Sequence, residues 1–68
     1  MTVRLTVNGK AVDLDKEMPL PAFLEARKID QRHIAVARNG NVIERNGYGD
    51  VVLCSGDVIE IVRMVGGG

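Results

Sequence analysis

The residues best suited to chemistry stand at the end of the sequence, where Val65 is followed by Gly66-Gly67-Gly68. Glycine has no Cβ, so its backbone can enter a slot too narrow for any other residue. Three extended residues reach about 10 Å, which is enough to carry a carboxylate into a partner's active site. We therefore expect a folded domain over residues 1–65 and a flexible glycine tail over 66–68; the alternative is an ordinary frayed terminus.

The other candidate reactive groups are isolated. His33 has no second histidine or cysteine nearby at the spacing of metal ligands. Cys54 follows the apolar Val52 and Leu53, which favours a structural thiol over a nucleophile. The acidic residues are scattered, mostly at turns, where Asp stabilises local backbone bonds. We expect no metal site, no bound cofactor and no catalytic centre in this chain.

Composition excludes several classes of partner. The chain has 68 residues, with nine Lys+Arg against nine Asp+Glu. It therefore lacks the excess of basic residues expected of a protein that binds nucleic acid or an acidic membrane. Phe23 and Tyr48 are its aromatic residues, which makes a base-stacking platform a poor explanation. One cysteine allows no internal disulfide, and no apolar run approaches the ~20 residues of a membrane span. We expect a single soluble domain in the cytoplasm, without a signal peptide.

The beginning of the chain predicts a β-hairpin. Val3, Leu5 and Val7 alternate with polar residues, the period of a half-buried strand. Asn8-Gly9 follows, which is the favoured pair for a tight two-residue turn. The second strand then covers residues 10–14.

One amphipathic helix and further strands come next. Leu20, Phe23 and Leu24 lie at helical spacing, and Pro19 and Pro21 are tolerated in a first turn, so we expect a helix at about 19–28. The remaining predicted elements are strands at 34–38 and 42–43 with a turn at Asn39-Gly40-Asn41 between them, an irregular connection at 44–50, a brief extended piece at 51–53, a turn at Ser55-Gly56-Asp57 and a last strand at 58–65.

This order of elements predicts an α+β fold, in which one main helix packs on one face of a mixed sheet. The small β-grasp roll is the economical solution, with the first and last strands parallel at its centre through a right-handed crossover. We expect its core to contain Leu5, Val7, Leu24, Ile59 and Ile61.

Several segments together resemble the ThiS-type sulfur carriers of thiamine biosynthesis, which are ubiquitin-like proteins. The resemblance is collinear over essentially the whole chain and departs from the family where Pro19 replaces a capping Thr and Glu44 replaces a Pro. The segments that carry it are Val7-Asn8-Gly9, Phe23-Leu24, residues 34–40 (IAVARNG), Arg45 with Tyr48, residues 56–62 (GDVIEIV) and residues 65–68 (VGGG).

The resemblance implies that this chain is a protein co-substrate and not an enzyme. An ATP-dependent, ubiquitin-activating-like adenylyltransferase (ThiF-type) would adenylate the Gly68 carboxylate, and a cysteine desulfurase relay would supply sulfur to give a thiocarboxylate. A thiazole synthase (ThiG-type) would then consume that sulfur. Gly66 and Gly67 would serve as spacers.

The body of such a carrier must dock on its partner enzymes. Because the helix can cover only one face of the sheet, Val62 and Met64 are expected on the exposed face, and with Val65 they form the predicted partner-binding residues. The alternative is that loops partly bury both faces. Two other functions also stay open: a small subunit of molybdopterin synthase, and a ubiquitin-like modifier or interaction module with an idle tail.

Overall fold

A computed structural model describes residues 2–64. The predicted boundary between domain and tail at residues 65 and 66 therefore lies outside the described residues. The elements are β1 (Val3–Val7), β2 (Lys10–Leu14), β3 (Met18–Pro19), α1 (Leu20–Ala26), β4 (Ile34–Arg38), β5 (Asn41–Ile43), β6 (Val52–Leu53) and β7 (Val58–Arg63), with 3₁₀ segments at Gln31–His33 and Arg45–Asp50.

Five strands form one mixed sheet in the order β2-β1-β7-β4-β5. The first strand β1 and the last strand β7 pair in parallel, whereas β1–β2, β4–β7 and β4–β5 pair antiparallel. Strand β7 therefore lies at the centre of the sheet with a partner on each side. This arrangement confirms the predicted α+β roll with parallel first and last strands.

Both asparagine–glycine pairs form the predicted hairpin turns. Asn8 and Gly9 have φ values of 52° and 81°, and Asn39 and Gly40 have 51° and 87°. Two consecutive residues with positive φ match the twist of the flanking strands, and Asn tolerates this region better than most residues with a Cβ. These turns fix the register of both hairpins, β1–β2 and β4–β5.

The helix is shorter than predicted. It begins at Leu20, because Pro19 belongs to β3 and has extended backbone angles (φ −64°, ψ 147°). It ends at Ala26, because Lys28 adopts a φ of 59°. The Ile29 and Lys28 amides then donate to the carbonyls of Leu24 (2.9 Å) and Glu25 (3.0 Å), which is the two-bond pattern that closes many helices.

A second, two-stranded sheet holds the start of the helix. Met18 and Pro19 pair antiparallel with Leu53 and Val52. The Leu20 amide donates to the Val51 carbonyl over 2.8 Å, so the brief extended piece predicted at 51–53 docks beside the first turn of α1.

The core lies between α1 and one face of the large sheet. Leu5 and Leu24 are buried as predicted, and Ile59 is fully buried. Val7 and Ile61, which were also expected in the core, pack against it but are only half-buried. The buried apolar residues are Val3, Leu5, Leu20, Phe23, Leu24, Ile34, Val36, Tyr48, Val51, Leu53 and Ile59.

Residues 2–64 contain neither a membrane-spanning helix nor a cluster of metal ligands. No helix in this part of the chain is long and apolar enough to cross a membrane. In the same residues, His, Cys, Asp and Glu side chains nowhere form a group of three that could hold a metal ion.

Candidate functional site: the last strand and the open face of the sheet

Strand β7 presents alternate residues to the two faces of the sheet, because side chains alternate along a strand. Ile59 points into the core and is fully buried, whereas Val62 is 60% exposed. Met64, which follows the strand, is 52% exposed. The expected exposure of Val62 and Met64 is therefore correct, and loops do not cover this face around them. Val65, the third predicted docking residue, lies outside the described residues.

Strand pairing places other small apolar residues beside Val62 on this open face, by which we mean the sheet surface opposite α1. Ala35 stands directly across from Val62, and Ala37 lies between Glu60 and the 79%-exposed Val42. An Arg4–Asp13 ion pair, 2.8 Å between Nε and Oδ1, occupies the open face of the β1–β2 hairpin. The open face thus combines an apolar patch with charged surroundings, the composition of many docking surfaces.

Asn8 holds the part of β7 that extends beyond β1. Its backbone amide donates to the Ile59 carbonyl (2.9 Å), which completes the parallel ladder. Its side-chain Oδ1 then accepts from the Ile61 amide (2.7 Å), and its Nδ2 donates to the Ile61 carbonyl (3.2 Å). The Asn8 side chain therefore makes the hydrogen bonds to Ile61 that the next residue of β1 would have made if the chain had not turned at Gly9.

Asn39 holds β7 by similar hydrogen bonds on the opposite side, where the strand begins. Its backbone amide donates to the Val58 carbonyl and its Oδ1 accepts from the Val58 amide, both over 2.8 Å. Its Nδ2 donates to Asp57 over 3.3 Å. Both turn asparagines thus fix the strand that leads to the glycine tail.

Asp57 is the buried polar residue of this network. It accepts from the Cys54 amide (2.9 Å) and pairs with the Arg38 guanidinium (3.1 Å) in addition to Asn39. Burial acts to raise the pKa of Asp57, but these hydrogen bonds and the nearby Arg38 charge outweigh it and hold that pKa below its ordinary value. The ionised carboxylate is therefore a structural anchor for the turn before β7.

The main-chain hydrogen bonds of β7 continue to Met64, whose amide donates to the His33 carbonyl over 2.8 Å. His33 ends the 3₁₀ segment Gln31–His33, and Asp30 caps its start, where the Asp30 carboxylate accepts from the Arg32 amide (2.9 Å). The hydrogen bonds that Asp30 accepts from the Arg32 side chain and, next in size, from the Arg32 amide lower the pKa of Asp30. The chain is thus held in the sheet up to the residue before Val65.

Cys54 is half-buried and begins the turn that precedes β7. Its Sγ lies 3.4 Å from the Val52 carbonyl oxygen. Burial, followed by the neighbouring Glu17 carboxylate, raises the pKa of the Cys54 thiol. A raised pKa disfavours the nucleophilic thiolate, as the interpretation of Cys54 as a structural thiol requires.

The sequence predicted that Asn8 and Asn39 lie in turns, but it did not predict that their side chains also form hydrogen bonds with β7. It likewise predicted a turn at Asp57 but not the hydrogen bonds and ion pair of this carboxylate. An asparagine whose side chain replaces a strand residue has no signature beyond the Asn-Gly pair itself. These contacts depend on which strand lies alongside, and that is set by the tertiary fold.

Comparison with known proteins is consistent with this geometry. The model of the ThiS family matches residues 3–68. The sulfur carrier protein ThiS of Bacillus subtilis is 38% identical over 65 residues, which cover 94% of this chain and 98% of that protein. A thiazole synthase of Paramagnetospirillum magneticum is 33% identical over 66 residues. That match covers 97% of this chain, which spans only 20% of the length of the thiazole synthase.

Solved structures agree with the fold. The crystal structure of the thiamine biosynthesis protein ThiS from Geobacter metallireducens superposes with a TM-score of 0.84 at 33% identity, covering 97% of this chain and all of the other. The solution structure of a thiamine biosynthesis protein from Geobacter metallireducens gives a TM-score of 0.76 at 33% identity, with 97% and 88% covered. By its family match, its near full-length relative and its fold, this chain belongs to the ThiS family.

Proposed function

We propose that this chain is a sulfur carrier of thiamine biosynthesis: a co-substrate that other enzymes load and unload. The observation that carries the proposal is the similarity to the Bacillus subtilis sulfur carrier protein over 98% of that protein's length. The ThiS family match favours this function over the small subunit of molybdopterin synthase, which shares the tail, and over an interaction module with an idle tail.

The reactive group in this proposal is the Gly68 carboxylate. A carboxylate is a poor electrophile, because attack on it would require an oxide to leave. Transfer of AMP from ATP, with release of pyrophosphate, supplies a good leaving group. The terminal sulfur of a persulfide on the desulfurase relay then attacks the acyl adenylate and displaces AMP. A thiol cleaves the resulting acyl disulfide, forming a disulfide with the relay sulfur and releasing the Gly68 thiocarboxylate, which carries a nucleophilic sulfur to the next enzyme. ATP belongs to the activating enzyme, and we place these steps in the cytoplasm.

The proposed partners are a ubiquitin-activating-like adenylyltransferase, a cysteine desulfurase relay and a thiazole synthase. The similarity to curated thiazole synthases supports the last of them, because a segment of those proteins, about a fifth of their length, resembles this whole domain. A carrier segment within a synthase chain is consistent with direct delivery of sulfur from carrier to synthase.

The open face supports a docking role for the residues before the tail. Val62 and Met64 are exposed apolar residues beside the last main-chain hydrogen bond of β7. We propose that these two residues and Val65 contact the partner enzymes while residues 66–68 enter the active site. The glycines are narrow enough to pass where a Cβ would collide.

Intact-protein mass spectrometry tests the chemistry. After incubation with the adenylyltransferase, ATP and a sulfur source, the chain should gain the mass of one oxygen-to-sulfur exchange, confined to the C-terminal peptide. Deletion of Gly68 should abolish this gain while circular dichroism and thermal unfolding stay unchanged, since the buried apolar residues that the structure describes lie between Val3 and Ile59. A gain that survives the deletion, or that maps elsewhere, contradicts the proposal.

A matched pair of variants tests the docking surface. Val62→Asp should weaken binding to the adenylyltransferase by at least about tenfold, because a buried valine contact is lost and a charge is introduced. Val58→Asp is the control, since Val58 is 44% exposed on the same face of the same strand but at the end away from the tail. Equal loss in both variants, or in neither, would argue against docking through Val62.

A further inference from the structure

A groove lies between the edge strand β2 and α1, on the face of the sheet opposite the one assigned to partner docking. It consists of two adjoining depressions of about 540 and 350 Å³. Asp13, Phe23 and Arg27 line both of them, so they form one continuous feature, which we call the β2 groove. Nothing in the sulfur chemistry proposed above uses this groove.

The floor of the β2 groove is apolar. Phe23 lies at its base and is 2% exposed, while Val12, Leu14 and Ile29 pack against the core but stay half-buried. The helix is the cause, because seven residues at 1.5 Å each span about 10 Å, whereas the five-residue strands span about 17 Å. The helix therefore cannot cover the full length of the strands beneath it.

The rim of the groove includes unpaired strand backbone. Val7 and Lys10 flank the two-residue turn, so they form a hydrogen-bonded pair, as do the alternate pairs Leu5–Val12 and Val3–Leu14. The backbone groups of Ala11 and Asp13 consequently point away from β1. Among residues 2–64, β2 has no strand on that side. Two N–H and two C=O groups are therefore available, about 6.8 Å apart along the edge.

The charge around the groove is predominantly positive. Lys10 lies at one end, Lys16 lies at the other, and the Arg27 guanidinium is held 5.0 Å from the centre of the Phe23 ring. The Asp13 carboxylate is already paired with Arg4. Asp15 is left as the counter-charge, and its carboxylate forms no ion pair within residues 2–64. Three cations of the groove therefore face one such carboxylate.

We propose that the β2 groove binds an extended segment of a partner protein by strand addition to β2. The segment pairs with the backbone of Ala11 and Asp13, and its alternate side chains, which are apolar, enter the groove over Val12 and Phe23. Acidic residues at both of its ends face Lys10 and Lys16. Edge strands are templates for such pairing, with backbone bonds giving affinity and side-chain pockets giving specificity.

A synthetic peptide provides the probe: acetylated, amidated Glu-Glu-Thr-Val-Thr-Val-Thr-Glu-Glu, titrated into the ¹⁵N-labelled chain. Amide shifts should concentrate at residues 10–16, Phe23 and Arg27, and exchange of the Ala11 and Asp13 amides with solvent should slow on binding. The same peptide with lysines in place of the glutamates should bind at least about tenfold more weakly at low salt. Shifts that cluster on the open face instead, or unchanged Ala11 and Asp13 exchange, overturn the proposal.

Two proline variants distinguish strand addition to β2 from non-specific electrostatic attraction of the peptide. Ala11→Pro removes an N–H that points away from β1, a position where an edge strand tolerates proline, and should weaken binding about tenfold. Val42→Pro is the matched control, because Val42 occupies the equivalent outward position on the other edge strand, β5, two residues beyond its turn. Lys10→Glu, which leaves the backbone intact, should weaken binding independently and covers the case in which Ala11→Pro does not fold.

The competing occupant is a second copy of this chain, paired β2 to β2. Light scattering during size-exclusion chromatography distinguishes the two. The proposal expects a monomer at concentrations where the peptide binds. A dimer that Ala11→Pro dissociates would show that the edge serves self-association, and the partner-segment proposal would then be wrong.

Discussion

Asn8 should contribute to stability mainly through the side-chain bonds by which it holds β7. Two substitutions distinguish the contribution of those bonds to stability from the requirement of the turn for a left-handed backbone at residue 8. Asn8→Gly removes the bonds to the Ile61 amide and carbonyl but keeps a residue that adopts the observed φ of 52° without cost. Asn8→Ala removes the same bonds and also forces a Cβ into the left-handed region.

The magnitudes follow from these contacts. Each exposed intramolecular hydrogen bond contributes about 0.5–1.5 kcal/mol, so loss of two bonds in Asn8→Gly should cost about 1–3 kcal/mol. Asn8→Ala should cost about 1 kcal/mol more, since an alanine in left-handed geometry is unfavourable by about that amount. With a slope of about 1 kcal/mol per molar urea for so small a domain, the glycine variant should unfold at about 1–3 M lower urea.

Urea unfolding followed by circular dichroism gives the free energies of unfolding, and native-state hydrogen exchange gives the local effect. The Ile61 amide should exchange faster in both variants, because its acceptor is gone, whereas the Val36 amide in the core should change only with global stability. A glycine variant as stable as the wild type, with unchanged Ile61 exchange, would refute this account of Asn8.

Three other substitutions test further residues. Lys28→Gly should raise the free energy of unfolding by about 0.5–1 kcal/mol and the melting temperature by about 2–8 °C, because Lys28 has a φ of 59°, which glycine adopts readily; a lower melting temperature would contradict this. Asp57→Asn should destabilise by about 1–3 kcal/mol at neutral pH. The folded pKa of Asp57 is lowered, so its contribution is complete above the unfolded value of 3.8 and is lost as pH falls through the folded pKa. The gap between wild-type and Asp57→Asn urea midpoints should therefore shrink below that pH, and a gap independent of pH would reject a charged role. Cys54→Ser should leave thiocarboxylate formation intact, because the proposed function places the sulfur on Gly68; loss of sulfur transfer in a folded variant would contradict that assignment.

Local sequence patterns were enough to predict most of the large sheet. Alternation at Val3, Leu5 and Val7 indicated β1, and the two Asn-Gly pairs indicated the hairpin turns that the structure contains. These features depend on neighbours within a few residues of the chain. Family resemblance then added the function, which no single residue pattern would have given.

The differences between prediction and structure have tertiary causes. The helix ends at Ala26 because Lys28 takes a conformation for which glycine is the usual signal, so no residue type marks the stop. Val7 and Ile61 carry the pattern of core residues, but the short helix leaves their end of the roll partly open. The pairing of Met18 with Leu53 joins residues far apart in sequence, which local propensity does not reveal.

The central position of β7 also constrains how this chain folds. Asn8 and Ile61 are bonded across 53 positions of sequence, and without residues 58–63 the β1–β2 and β4–β5 hairpins share no strand. The large sheet can therefore close only after its last strand has been synthesised, and such long-range pairing slows folding because loop-closure entropy is lost before contacts are gained. A folded molecule therefore already contains β7 within its sheet. A partner that recognises the folded sheet consequently meets only chains whose last strand is complete.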